Sequence, residues 1–421
     1  MNSNPNFFAP MKKPILLYLT TLALAALCGG AAAGQATAQS APDMSKYILT
    51  PKPADTPRIN GARVFGVRPG SEFLYTIAAT GIRPMTFSAE GLPKGLKLDP
   101  KTGRITGRVT APGEYTVYLK ATNALGSSER SLKIVVGNEI ALTPPMGWNS
   151  WNCWARDVTQ EQVLSSARAM VESGLADHGW SYINIDDGWQ GKRGGKDNAI
   201  QPNAKFPDMK GLTRAIHDMG LRVGIYSTPW IGTYAAHIGS YSDNPDGVNE
   251  WIKKGRHNEH YRYQKEGGNY WKDRTEVWHL GPYSFVEADV KQWGEWGIDY
   301  LKYDWNPLDY YHVKEMHDAL RTLDRDVVYS LSNSAPYGDA PQWMQYSNCW
   351  RTTSATRGRA SAASGSARTA GCPSTARAIG PTPTCWSWAW WAGVRNSITR
   401  SSRPTSSIRT SASGRCWRRR C

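Results

Sequence analysis

Four short apolar runs, each entered from an amphipathic segment and each ending on a polar or charged residue, constrain this chain more than any other feature. They are Tyr182-Ile-Asn-Ile-Asp-Asp187, Arg222-Val-Gly-Ile-Tyr-Ser227, Tyr300-Leu-Lys-Tyr-Asp304 and Val327-Val-Tyr-Ser-Leu-Ser332. Runs this short and this continuous read as strands buried on both faces, the state of a parallel sheet covered by helices. The segments between them have helical period. Thr159-Gln-Glu-Gln162 is a capping box, with Val163, Ala167, Met170, Val171 and Leu175 on one face and Gly179 as the stop. Residues 212–219 before Gly220, 285–296 before Gly297 and 312–323 repeat the unit. Met146-Gly-Trp-Asn-Ser-Trp151 in front and Asn348-Cys-Trp-Arg-Thr-Thr353 behind complete six β/α units. The class is α/β: a (β/α)8 TIM barrel over residues 140–353, truncated after about six units.

What precedes the barrel has another grammar. Met11-Lys-Lys13, the apolar run 14–27 and the small residues 29–38 have the three parts of a secretory signal over residues 1–38, with Met11 an alternative start. The run falls short of the roughly 20 apolar residues of a span, so no stable membrane anchor is expected and the protein is read as secreted or periplasmic. A Pro-rich linker fills 39–57. Residues 58–137 alternate apolar and polar between turn signals, as in Tyr115-Thr-Val-Tyr-Leu-Lys-Ala121 and Leu132-Lys-Ile-Val-Val136, and predict a small all-β immunoglobulin-like sandwich. It resembles the immunoglobulin-like modules of bacterial secreted enzymes, which act mostly as spacers.

Strand ends in a barrel converge on one pocket. Asp186, Asp187, Asp304, Lys302, Tyr226, Trp151 and Arg351 all stand at such ends. Retaining glycosidases need two carboxyl groups roughly 5–5.5 Å apart, one as nucleophile and one as acid/base, and Asp304 is the candidate nucleophile. The aromatic insertion 231–283, which leaves the end of the third strand, is expected over the pocket mouth, where its rings would either stack on sugars or form a small core of their own.

Leu142-Thr-Pro-Pro-Met-Gly-Trp-Asn-Ser-Trp-Asn152, Tyr182-Ile-Asn-Ile-Asp-Asp-Gly-Trp189, Gly220-Leu-Arg-Val-Gly-Ile-Tyr226 and Gly297-Ile-Asp-Tyr-Leu-Lys-Tyr-Asp304 resemble the successive strand motifs of glycoside hydrolase family 27, the α-galactosidases and α-N-acetylgalactosaminidases. The resemblance implies retaining hydrolysis of terminal α-galactosides with no metal and no cofactor, and Asp304 as nucleophile. It further implies that Asp186, Asp187, Lys302 and Tyr226 hold galactose hydroxyls, with Trp151 walling the pocket and Arg351 at its edge. Ser332 and Ala335 stand where galactose-selective relatives carry Glu and Leu, and their small size leaves room for a 2-acetamido group. N-acetylgalactosamine is therefore an open substrate, as is a β-L-arabinopyranoside on the same scaffold. A carbohydrate-binding protein without activity is the rival from another class. Asn306 replaces the cysteine common just after the nucleophile.

The acid/base Asp of the family falls on Ala355, so the chain as it stands is expected to be inactive. From Ser354 on there are twelve arginines and no Asp, Glu or Lys, so residues 1–353 carry only 15 − 12 = +3 of the formal charge. The basic balance is thus no sign of a nucleic-acid partner. Codons for 378–392 read one base earlier permit His-Trp-Pro-Asp-Pro-Asp-Met-Leu-Val-Val-Gly, which resembles the family's seventh strand. Residues 354–421 are accordingly expected to be an out-of-frame tail. Of seven cysteines, only Cys153 and Cys349 lie between the signal and this tail, so no disulfide framework or metal-ligand spacing is legible.

Overall fold

In a computed structural model the chain is described over residues 52–248, 277–332 and 335–350. From Pro53 onward these belong to one compact unit. Features expected from the sequence that fall elsewhere, namely the signal, most of the aromatic insertion, Arg351, Ala355 and the arginine-rich tail, lie outside the described residues.

The first module is a sandwich. Strands β1 (Arg58–Ile59), β2 (Val64–Val67), β3 (Glu72–Thr76), β4 (Ala79–Thr80), β5 (Thr86–Glu90), β6 (Leu96–Leu98), β7 (Arg104–Arg108), β8 (Gly113–Asn123) and β9 (Gly126–Val136) follow one another. They form a four-stranded sheet in the order β2-β9-β8-β5, a three-stranded sheet β3-β7-β6 and the pair β1-β4. Alternation does what period two demands: in β8, Val117, Leu119 and Ala121 are buried while Thr116 and Tyr118 face out. The apolar faces enclose a core with Phe73, Ile105, Leu132 and Ile134. Between β6 and β7, Asp99 accepts from the backbone N–H of Lys101 and Thr102, and Gly103 takes φ 72° to close the expected turn.

The second module is a parallel sheet in the order β10 (Gly147–Asn149), β11 (Tyr182–Asn184), β14 (Arg222–Ser227), β17 (Tyr300–Tyr303) and β18 (Val328–Leu331). A parallel bridge from Ser330 to Cys349 adds the start of a sixth position. Two hairpins, β12 (Gln190–Gly194) with β13 (Ala199–Pro202) and β15 (Tyr241–Ser242) with β16 (Tyr283–Ser284), decorate it. The helices are α1 (Trp151–Trp154), α2 (Gln160–Glu172), α3 (Met209–Asp218), α4 (Val286–Trp296), α5 (Tyr310–Arg321) and α6 (Ala340–Tyr346). The six-unit barrel reading is therefore met as a partial, barrel-like parallel sheet. Outward strand residues Ile183, Ile185, Val223, Ile225, Leu301 and Leu331 pack with Met170, Ile216, Val290, Trp293 and Met316 of the helices into one core. No described helix is long and apolar enough to cross a membrane.

Two helix expectations need correction. The capping box at Thr159 forms, but α2 ends at Glu172 because Gly174, at φ 78°, breaks it first. Gly179 instead closes a separate 3-10 turn, Ala176–His178. Val171, read as core-facing, is exposed.

Candidate active site

The parallel register fixes which side chains meet. Tyr226 pairs with Lys302, and Lys302 with Ser330. Alternate residues share a face, so Asp304 follows Lys302, Ser332 follows Ser330, and Asp186 follows Asn184 on the interior side of the sheet. Short strands that stop at Asn184, Ser227, Tyr303 and Leu331 leave these polar groups at the C-terminal rim, where a parallel α/β sheet binds its ligands.

A single cation organises them. Lys302 Nζ lies 2.9 Å from Asp186 Oδ2 and 3.7 Å from Asp304 Oδ2, and 5.0 Å from the centre of the Tyr226 ring. Asn149 donates its Nδ2–H to the same Asp186 Oδ2 at 2.7 Å, and the Asp187 N–H donates to Asp186 Oδ1 at 2.9 Å. Ser150 Oγ accepts the Asp186 N–H at 2.9 Å. Asp186 is thus held by charge and hydrogen bonds together, which offsets the cost of burying a carboxylate. Asp304 has the opposite balance. Burial pushes its carboxyl up, while Lys302, the Ser332 hydroxyl and Tyr226 pull it back down against the nearby Asp186. The Tyr226 hydroxyl is itself buried and turned towards Asp304. Burial and the charges of Asp304, Asp187 and Asp186 raise its own pKa well above the usual phenol value.

Asp187 sits differently. It is only 1 % exposed, and its two oxygens accept from Thr233 Oγ1 at 2.8 Å and from the Ala235 N–H at 2.7 Å. Burial pushes it up to about 7 in spite of these bonds. The turn that supplies them is tight: Thr233 N–H donates to His237 O, the His237 N–H returns to Thr233 Oγ1, and Ala236 takes φ 60°. Tyr234, in the same turn, packs edge-on against Trp230 and Trp278, with ring centres 5.2 and 5.0 Å away, and it feels the Asp304 charge.

Five of the residues singled out from sequence, Asp186, Asp187, Tyr226, Lys302 and Asp304, therefore meet in one place, with Ser332 beside Asp304. Trp151 opens α1, its N–H bound to Asn149 Oδ1 at 2.9 Å, and is half-buried. Ala335 is buried in the main core. Sequence reasoning passed over Asn149 and Thr233. Asn149 lies inside a quoted motif and could have been weighed as a polar residue at a strand end. Thr233 carries no periodic signal, because it belongs to an irregular turn.

Residues 143–254 match the family model described as "Alpha galactosidase A", and residues 56–137 match "Putative Ig domain". A "Probable alpha-galactosidase" of Dictyostelium discoideum is 30% identical over 248 residues, 56% of this chain and 49% of that protein. "Alpha-galactosidase A" of Cellvibrio japonicus is 33% identical over 226 residues, 51% of this chain and 44% of that one. A crystal structure described as a "putative alpha-galactosidase" from Bacteroides fragilis aligns with TM-score 0.58 and 36% identity, covering 72% of this chain and 58% of that one. The chain spans about half the length of the curated relatives it matches. The order read from the motifs, an immunoglobulin-like module followed by a barrel-like domain similar to α-galactosidases, is borne out.

Proposed function

We propose that this chain carries the glycone site of a secreted or periplasmic retaining glycoside hydrolase acting on terminal α-galactosides. The observation that carries the reading is the Asp186–Lys302–Asp304 cluster at the rim of the parallel sheet. Asp304 is the nucleophile: an Oδ attacks the anomeric carbon, the C1–O bond to the leaving group breaks, and a covalent glycosyl ester results. Lys302 favours the ionised form of Asp304 in a site whose burial works against the charge. Asp186 and Lys302, one an acceptor and the other a donor, are suited to neighbouring sugar hydroxyls, and Tyr226 offers its O–H beside them. Asp187 and the wall at Trp151 are assigned to the same sugar, and Arg351 to its edge. Ser332 and Ala335, small where bulk would reject a 2-acetamido group, favour acceptance of N-acetylgalactosamine alongside galactose.

The acid/base position falls on Ala355, so an unactivated leaving group would depart without a proton. General acid catalysis contributes typically 10²–10⁴-fold. A fluoride or dinitrophenolate leaving group needs little of it. The test is therefore a mechanism-based fluorosugar of α-galacto configuration with such a leaving group, followed by peptide mass mapping. The expected result is one sugar ester on Asp304, lost in Asp304→Asn. Esterification of another residue, or no ester while a competitive galactose analogue still binds, sinks the nucleophile assignment. Ser332→Glu should abolish binding of the N-acetylated sugar while sparing galactose.

A further inference from the structure

The sandwich does not stand away from the barrel. Its side chains end the barrel's helices. The last carbonyls of a helix have no partner within it, and cations nearby also answer the negative end of the macrodipole. In this protein those partners come from the sandwich at three helix ends. Asn60 Nδ2–H donates to Asp177 O at 2.9 Å, in the 3-10 turn before β11. Arg104 Nη1–H donates to Asp218 O at 2.6 Å, and Thr76 Oγ1–H to Gly220 O at 2.8 Å, at the end of α3 before β14. Arg68 donates to the carbonyls of Arg321 and Leu323, each at 3.0 Å, and of Arg325, at the end of α5 before β18. Arg68 also pairs with Asp326, through Nε–H at 2.6 Å and through its backbone N–H at 2.9 Å.

The contact is reciprocal and tight. Arg222, the first residue of β14, reaches out of the barrel to donate to Leu74 O, and its guanidinium lies 4.6 Å from the centre of the Phe65 ring. A Cβ on Gly179 would come 2.8 Å from Gly61 Cα, and one on Gly220 would come 2.5 Å from Thr76 Oγ1. At Gly179 the two backbones approach, and at Gly220 a sandwich side chain does, where only glycine fits. The same surface reaches the strand that bears the nucleophile. Glu72 accepts from Arg325 Nη1–H at 3.0 Å, Arg325 Nη2–H donates to Asp299 Oδ1 at 2.8 Å, and Asp299 immediately precedes β17.

We propose that the sandwich is the floor of the barrel: a capping element that folds and unfolds with it as one cooperative unit and holds the start of β17 in place from below. This goes beyond the glycosidase reading and does not depend on it. A tethered spacer would unfold independently.

The sequence supplies the probe, because no tryptophan precedes Trp148. Tryptophan fluorescence of the full chain therefore reports on the barrel and the residues that follow it, and not on the sandwich. Leu119 lies in the sandwich core, 1% exposed, on a strand that contributes none of the contacts just described. Leu119→Ala in the full chain should lower the tryptophan-monitored thermal midpoint by roughly 5–10 °C. Far-UV circular dichroism should report the same midpoint. If Leu119→Ala does not accumulate as folded protein, Leu119→Val should give a smaller shift in the same sense. Arg68→Met should lower the midpoint too, with both probes still coincident. A tryptophan midpoint that stays put in the Leu119 variants, while a separate transition without a fluorescence change moves down, overturns the proposal.

Discussion

Lys302→Met removes the cation shared by two buried carboxylates while keeping most of the side chain's volume. Asp304 Oδ2 lies 3.7 Å from Lys302 Nζ. At an effective dielectric of about 20, that separation corresponds to about 4.5 kcal/mol of attraction favouring the ionised carboxylate. Every 1.4 kcal/mol or so is tenfold in the ionisation constant, so the upper bound on the change in that constant is roughly 10³-fold. The loss will be smaller, because Lys302 also answers Asp186 at 2.9 Å. The expected outcome is that Asp304 esterification by an activated fluorosugar slows on the acid side of its pH profile by up to the order of 10²-fold, with the acid limb displaced to higher pH. The sign follows from the chemistry: the nucleophile works as the anion, and removing a nearby cation raises the pH at which the anion forms. The assay is the rate of ester formation from pH 4 to 9, read by intact mass, with the fold verified by circular dichroism. A variant that esterifies at the wild-type rate with an unmoved acid limb would refute the role given to Lys302. An equal drop at every pH would mean instead that Lys302 positions the sugar and does not tune the nucleophile.

Three further outcomes follow from the buried groups. Asp187, pushed up to about 7, keeps a proton in the folded protein that the unfolded chain releases near 4. Its contribution to stability is therefore greatest at acid pH and declines as pH rises from about 4 to 7; Asp187→Asn should flatten that decline in thermal melts, and an unchanged slope would contradict the assignment. Arg193 and Asp289 form a two-pronged pair at 2.8 and 3.1 Å that ties the β12–β13 hairpin to α4. Arg193→Ala should cost about 3–5 kcal/mol in urea unfolding, and adding Asp289→Ala should recover part of it, because the stranded carboxylate is then gone. A Cβ at Gly224 would fall 2.0 Å from Asn184 Oδ1 inside the sheet. Gly224→Ala should lose about 1–3 kcal/mol, and Asn184→Ala in the same chain should restore most of it; failure of that rescue would place the strain elsewhere.

The parts of this molecule legible in the sequence are those whose signals are periodic or positional. Apolar runs ending in Asp186, Asp304 and Ser332 declared strands, and the barrel rule then brought their ends together without reference to any coordinate. The capping box at Thr159 was legible for the same reason, since two side chains and two N–H groups at fixed spacing have one geometric use. The turn from Thr233 to His237 was not, because its information lies in a left-handed alanine and in hydrogen bonds to a residue 46 positions away. Nor was the sandwich–barrel contact. Arg68 and Arg104 in isolation read as solvated charges on a small module, and nothing local says that helix carbonyls wait for them. Gly179 and Gly220 were read as helix stops, and Gly179 closes only a 3-10 turn; their second use, letting the sandwich approach, appears only when both modules are in view.

The adjacent pair Asp186 and Asp187 shows how much one residue of strand register decides. The resemblance assigns both to sugar hydroxyls, yet their surroundings divide the work. Asp186 accepts from Lys302 and Asn149 on one oxygen and from the Asp187 N–H on the other, beside the nucleophile. Asp187 has both oxygens engaged by the turn that carries Tyr234, a ring that itself lies within reach of the Asp304 charge. A carboxylate oxygen has a second lone pair, so Asp187 can still accept a hydroxyl proton. Its own burial nevertheless holds it close to neutrality, and a neutral carboxyl is a weaker acceptor than the ion-paired Asp186. The same substitution at the two positions should therefore act through different steps. Asn at 186 removes the anion that Lys302 needs and weakens the first contacts with sugar, whereas Asn at 187 loosens the turn beneath the Trp230–Tyr234–Trp278 cluster while leaving the charge balance around Lys302 nearly as it was.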